Sequence, residues 1–310
     1  MLDKIYKKIK PLVDSIIKTL KGIKLPGFEG LSLYIVIVFF VRALEKGSLT
    51  TRASAVAFNF FLAFIPAVIF IFSLIPYIPV DNFQDQLFAF IENLLPHDAF
   101  VLMKSTIEDT IAIPRGGLLS IGFFLALFFA TNGMSSIIDA FNTSYLINHK
   151  RSYLSEKMVS LVLVVILSVL VIFSTTFIVL SNVFLDAIEV MLNINHSIIV
   201  YLLQVVNWLV VLLFLFFGFS FIFYYGPSKK SKFKFISAGS SFATVLSILT
   251  SLLFAFYVNN FGQYNKFYGS LGTLVVALLW IYFNSFSLLL GFELNASIKI
   301  AQKRKVLFGE

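Results

Sequence analysis

The sequence predicts an all-α fold, a polytopic membrane helix bundle of six transmembrane helices with further amphipathic helices at the N-terminus and in one outer loop. Three observations predict it. Six apolar runs are each long enough to cross a bilayer, which takes about 20 helical residues. Lysines and arginines fall almost entirely on alternate sides of those runs, the asymmetry that orients membrane proteins. Finally, 59% of residues are hydrophobic and 13% charged, whereas a soluble domain is nearer a quarter charged. In water such a chain would expose apolar patches larger than soluble surfaces tolerate.

Taken in order, Met1–Lys24 carries seven lysines interleaved with Ile5, Ile9, Leu12, Ile16 and Leu20 at helical spacing. It reads as a basic amphipathic segment for an anionic lipid surface, without the apolar core and cleavage site of a signal peptide. Leu31–Leu44 contains Arg42 and is too short to span, so it is expected at the interface. Residues 1–52 thus form a cytoplasmic basic region. The expected spans are Ala53–Ile75, Leu118–Phe141, Met158–Leu180, Ile198–Tyr225, Phe235–Val258 and Tyr268–Phe292. They make a transmembrane domain over 53–296, followed by a basic cytoplasmic tail over 297–310. On this drawing 21 of the 24 basic residues share one side, and only Lys104, Arg115 and Lys266 lie on the other. The bias places both termini in the cytoplasm, and an even number of spans agrees. Were Leu31–Leu44 to span, the seven N-terminal lysines would lie outside.

The outer loop 76–117 is the one sizeable piece between spans. Phe83, Leu87, Phe88, Ile91 and Leu94 form a helical stripe behind Asp81 as N-cap, and Phe100, Met103, Ile107 and Ile111 form a second that ends before Pro114. Two amphipathic helices on an acidic outer face fit both patterns.

Any chemistry must come from polar groups within the spans, where they are costly and face the bundle interior. In the second span Thr131/Asn132, Ser135/Ser136, Asp139 and Asn142 recur every three to four residues along one face. Arg52 stands at the cytoplasmic edge of the first span, with Asn59 two turns deeper and Pro66 expected to kink the helix. The third, fourth and fifth spans carry small and hydroxyl residues suited to close helix packing. The sixth aligns Asn284, Ser287, Gly291 and Asn295, with Glu293 at its inner end. Packing does not require ionisable groups, so Arg52, Asp139 and Glu293 have two readings. They form a structural salt bridge or snorkel to the interface, or they line a polar cavity open to the cytoplasm with Arg52 as anion partner and Asp139 as its counter-charge or a proton-linked group.

Other chemistries find little support. Cysteine is absent, which excludes disulfides and thiolate chemistry. His97, His149 and His196 fall in different loops and cannot share a metal. There is no HExxH, P-loop or GxSxG pattern and no aromatic-interleaved basic platform for nucleic acid. No cofactor, metal or nucleic-acid partner is expected. The expected partners are membrane lipids, anionic ones in particular.

The C-terminal third carries Tyr257-Val-Asn-Asn-Phe-Gly-Gln-Tyr-Asn-Lys-Phe-Tyr-Gly-Ser-Leu-Gly272, Leu279-Trp-Ile-Tyr282 and Leu290-Gly-Phe-Glu-Leu-Asn-Ala296. Together with Arg52-Ala-Ser-Ala-Val-Ala-Phe58, Thr131-Asn-Gly-Met-Ser-Ser-Ile-Ile-Asp-Ala-Phe-Asn-Thr-Ser-Tyr145 and Tyr224-Tyr-Gly-Pro227, these stretches resemble the YihY/BrkB family of bacterial inner-membrane proteins. The resemblance covers about Arg52 to Ala296 and departs slightly at Phe141, where members often carry Leu. It implies six spans in a bacterial cytoplasmic membrane and counts Arg52, Asp139, Asn142 and Glu293 among the recurrent residues. Members have been labelled a ribonuclease and virulence factors, and a transporter role is presumed for them. In the turn before the last span, Gly269 and Gly272 suit close helix approach, and Tyr264 and Tyr268 suit the headgroup level. The expected function is a transporter or lipid flippase with a polar cavity. The alternative is a non-catalytic scaffold acting through its outer helices.

Overall fold

The computed structural model describes residues 14–15, 17–74, 77, 116–144, 151–192, 196–228, 233–261 and 271–308. Among these the regular elements are helical, with no strand. We number them α1 (Leu33–Lys46), α2 (Leu49–Leu74), α3 (Gly116–Asn142), α4 (Tyr153–Leu192), α5 (His196–Tyr225), α6 (Ala238–Phe261) and α7 (Leu271–Phe308). Helices α2 to α7 are each long and apolar enough to cross a membrane, so the protein is a multi-pass membrane protein with the six spans expected. The two outer-loop helices, Tyr264, Tyr268 and Gly269 lie outside the described residues, as does most of the N-terminal lysine-rich segment.

The first short helix, α1, rises about 21 Å over its 14 residues, less than the ~30 Å hydrocarbon core. It does not span. It packs along the end of α7, where Phe28, Leu31, Val36, Leu294, Ile298 and Ala301 share one buried cluster. The chain reaches α1 through a tight loop with Gly27, Glu29 and Gly30 at positive φ. Those turns put Phe28 and Leu31 into the cluster while leaving Glu29 at the surface.

The last span and the basic stretch after Ala296 form one continuous helix. Helix α7 continues to Phe308, because Leu294, Ile298 and Ala301 keep a buried stripe facing α1 while Lys303, Arg304 and Lys305 face outward. Helix α4 likewise overruns its expected span. Its 40 residues rise about 60 Å, twice the hydrocarbon thickness, and Val162, Val165, Val169, Ile172 and Phe173 form an exposed face suited to lipid.

The chain forms two compact units, residues 1–57 with 134–310 and residues 58–133. In the first, α7 packs along α6 and α1, α4 against α5, and α5 against α6. Its core gathers at one end, around Phe141, Phe223 and Phe292. The Phe141 and Phe292 rings stack with centroids 3.9 Å apart and planes 4° from parallel. In the second unit, the Phe70 and Phe123 rings lie 5.5 Å apart, and Gly122 lets the α3 backbone approach that of Phe70. Helix α2 runs on through the buried Pro66 to Leu74.

Candidate functional site

Of the three ionisable residues singled out in the sequence, two come together once folded. Arg52 and Glu293, on the first and last spans and 241 residues apart, form an ion pair at 2.6 Å. Both are buried, Glu293 completely. Both members of the pair have further partners. Arg52 Nε donates to the Gly47 carbonyl at 2.8 Å, and Nη1 donates to the Ala140 carbonyl at 2.8 Å. Ser144 Oγ donates to Glu293 Oε2 at 2.9 Å. One charged clasp therefore joins the α1–α2 corner, the C-terminal end of α3 and the middle of α7.

The clasp explains its own sequence. Gly47 ends α1 and presents a carbonyl to a side chain five residues on. Ala140 leaves its carbonyl accessible close to the helix end, where backbone acceptors lack intrahelical donors. Phe292, next to Glu293, is covered by Phe141, Phe223 and Phe233, and these rings keep the surroundings apolar. Burying two charges costs several kcal/mol per ion and is offset only when geometry is good and remaining groups are bonded. Here both ions have such partners. Buried among these partners, Arg52 presents little surface to a substrate anion in this conformation.

Asp139 is not the counter-charge of Arg52, which corrects that expectation. Its side chain is exposed, and its charge lies close enough to Glu156 of α4 to act on that carboxylate. The register follows from Ser135 and Ser160, whose hydroxyls meet at 2.9 Å. Moving one turn along each antiparallel helix toward their connection brings Asp139 opposite Glu156. Arg151, in that connection, donates to the carbonyls of Tyr225 and Pro227 at 2.8 and 2.7 Å. Burial pushes the Arg151 pKa down and the nearby Glu156 charge opposes the shift. Asn142 is buried, and its Nδ2 has no hydrogen-bond partner.

Asn295, two residues past Glu293, does different work. Its Oδ1 accepts from the Gly239 N–H at 2.8 Å, and its Nδ2 donates to Ser237 Oγ at 2.9 Å. It therefore caps α6 from a neighbouring helix, filling a donor that a helix start leaves open. This requires the helices to touch. A Cβ on Gly291 would lie 2.6 Å from the Gly239 carbonyl oxygen and 2.7 Å from Ala243 Cβ, and one on Gly239 would overlap the Gly291 carbonyl. In the run Gly291-Phe-Glu-Leu-Asn295, the glycine permits contact, the glutamate closes the clasp and the asparagine caps α6.

The other candidates do not join this cluster. Asn284 bonds back to the Trp280 carbonyl of its own helix at 3.0 Å. Asn59 and Asn132 belong to the unit 58–133 and are half-buried, and Ser136 is half-buried where its neighbour Ser135 is buried. Gly272 is buried at the start of α7. Ser144, Gly47, Glu156 and Ser237 are participants the sequence did not single out. Among the described residues no three His, Asp or Glu side chains gather as a metal site would need.

Beside the Asn295 cap lies a cleft of about 790 Å³, within the 300–1,000 Å³ typical of ligand sites. The loop from Leu25 to Gly30, the stretch from Phe233 to Ser241 and the last turns of α7 enclose it. Lys234, Lys299 and Gln302 face it, and Lys234 pairs with Glu29 at 2.7 Å.

Comparison with known proteins agrees with this architecture. The family described as Virulence factor BrkB matches residues 40–307. The ribonuclease-like protein YfkH of Bacillus subtilis (strain 168) is 31% identical over 264 residues, covering 83% of this chain and 91% of that protein. A UPF0761 membrane protein of Psychromonas ingrahamii is 22% identical over 273 residues, 86% and 88% of the two chains. Another from Pseudoalteromonas translucida is 36% identical over 81 residues, 26% and 27% of the two chains. No solved structure matches.

Proposed function

The chain belongs to the BrkB family of integral membrane proteins, and from that premise we propose that it is a transporter or lipid flippase of the bacterial cytoplasmic membrane with both termini cytoplasmic. The observation that carries this reading is the Arg52–Glu293 clasp. It fastens the first span to the last. Buried ion pairs are weak evidence for stability but are well suited to elements with two arrangements. Opening the clasp would release an arginine from three partners at once. An anionic amphiphile is the substrate class that a freed guanidinium and a basic inner face would attract.

A catalytic role is less well supported. Glu293 is held by Arg52 and Ser144, and Asp139 lies near Glu156 of α4 rather than in the clasp. The name of the Bacillus subtilis relative is therefore not carried over to this chain.

Movement of headgroup-labelled phosphatidylglycerol in proteoliposomes tests the proposal, with wild type compared to Glu293→Gln and to protein-free vesicles. We expect wild type to move the lipid and Glu293→Gln to change the rate by about tenfold, the effect of roughly 1.4 kcal/mol on a barrier. Wild-type rates equal to protein-free vesicles for phosphatidylglycerol, cardiolipin and a polyprenyl phosphate would overturn it. The scaffold reading would then take its place.

A further inference from the structure

The clasp closes Arg52 off, so a substrate anion met from the basic side must find other cations first. We propose that the cleft between the Leu25–Gly30 loop, the start of α6 and the end of α7 is a binding site for the phosphate headgroup of an anionic glycerophospholipid. This deepens the transport reading, on which it rests for its purpose but not for its chemistry.

The cleft has an amphiphile's polarity. Its rim carries exposed apolar side chains, Leu25 at 43% and Ile236 at 69%, placed to meet acyl chains. Its floor is the buried Ile298 and the ring of Phe233. Its polar lining is the exposed Lys234, Ser241 and Gln302 and the half-buried Lys299. Lys299 Nζ lies 5.4 Å from the Phe233 ring centroid, so one cation is held over the floor rather than swinging in solvent.

The walls are preformed. The positive φ of Gly27, Glu29 and Gly30 fixes the loop, and Gly27 packs on Ala238, where an added Cβ would lie 3.3 Å from the alanine Cβ. The first-turn amides of α6 do not serve the site. Gly239 N–H is taken by Asn295, and those of Ser240 and Ser241 by Ser237. Recognition falls to the lysines.

Glu29 supplies the regulating contact. It holds Lys234 at 2.7 Å, yet the Lys234 side chain is 73% exposed, so the pair is one that solvent screens and a phosphate can displace. A bound phosphate would take Lys234 from Glu29 and add Lys299. The glutamate then opposes binding and Lys299 favours it, so their neutralisation must act in opposite directions.

That sign difference is the test. The full chain in mild detergent is titrated with short-chain phosphatidylglycerol and read by native mass spectrometry, beside phosphatidylcholine and inorganic phosphate. Wild type is expected to retain phosphatidylglycerol over phosphatidylcholine by about tenfold, a difference of roughly 1.4 kcal/mol. Lys299→Gln should lose that preference, and Glu29→Gln should strengthen it. Equal retention of the two lipids, or unchanged retention in both variants, would overturn the site. Displacement of phosphatidylglycerol by equimolar inorganic phosphate would overturn its assignment to lipid. If Lys299→Gln does not fold, the increase expected of Glu29→Gln, which no loss of structure produces, decides alone. Binding without movement in the vesicle assay would sink transport and leave the cleft standing, and movement without selective binding would do the reverse.

Discussion

The clasp yields a prediction whose size can be worked out. Arg52→Met would leave Glu293, fully buried, with Ser144 as its single described partner, and would strip the Gly47 and Ala140 carbonyls of a donor. Glu293→Leu would leave a buried guanidinium on two carbonyls. Removing one partner of a buried pair costs roughly 3–5 kcal/mol because the other charge stays behind. The double variant removes both charges. It then loses four hydrogen bonds at about 1 kcal/mol each and gains apolar packing against Phe141 and Phe292, so its net cost should not exceed that of either single variant. The assay is reversible unfolding in mixed micelles of dodecyl sulfate, followed by far-ultraviolet circular dichroism. The expected coupling is at least about 3 kcal/mol, the upper end of the range for contacting residues. Losses that simply add, within about 0.5 kcal/mol, would show that the two residues do not share one buried environment and would refute the argument.

Three further outcomes follow from the geometry. Asn295→Ala should cost about 1 kcal/mol, the usual worth of a helix cap, while Asn295→Asp keeps the acceptor for Gly239 and should cost less; thermal unfolding of both variants ranks them. Gly291→Ala should destabilise by about 1–3 kcal/mol or more as an overpacked contact, read as loss of monodisperse protein in size-exclusion chromatography, and unchanged behaviour would mean that α6 and α7 do not touch there. In this cysteine-free chain, Ser135→Cys/Ser160→Cys should form a disulfide under mild oxidation, blocking maleimide labelling; full labelling would refute the register that sets Asp139 beside Glu156.

Much of this was legible in the sequence, and what escaped did so for physical reasons. Apolar length is a property of one segment, so the six spans could be counted directly. Partnership is a property of two. Arg52, Asp139 and Glu293 all map to one depth, but depth does not say which way a side chain turns around its helix axis. The 3.6-residue period places both Ser135 and Ser136 near one face, and only the packed structure shows that Ser135 meets Ser160. The carbonyls of Gly47 and Ala140 belong to the backbone and have no sequence signature. Asn284 and Asn295 share a face, yet 11 residues separate them by about 17 Å along the axis, so only Asn295 reaches the start of α6. In the Lys and Arg run after Ala296, charge masks the stripe Leu294, Ile298 and Ala301 that keeps it helical.

The 241 residues between Arg52 and Glu293 also set a timetable for biogenesis. At translation rates of about 5–20 residues per second, the first span waits roughly 10–50 s before its counter-charge is synthesised. Until then its arginine must stay near the headgroups or with a chaperoning partner, since an unpaired charge inside the bilayer is costly. The first span can settle fully only when the last one arrives. A nascent chain that stalls or is truncated before α7 therefore carries a mark of incompleteness that membrane quality control can read.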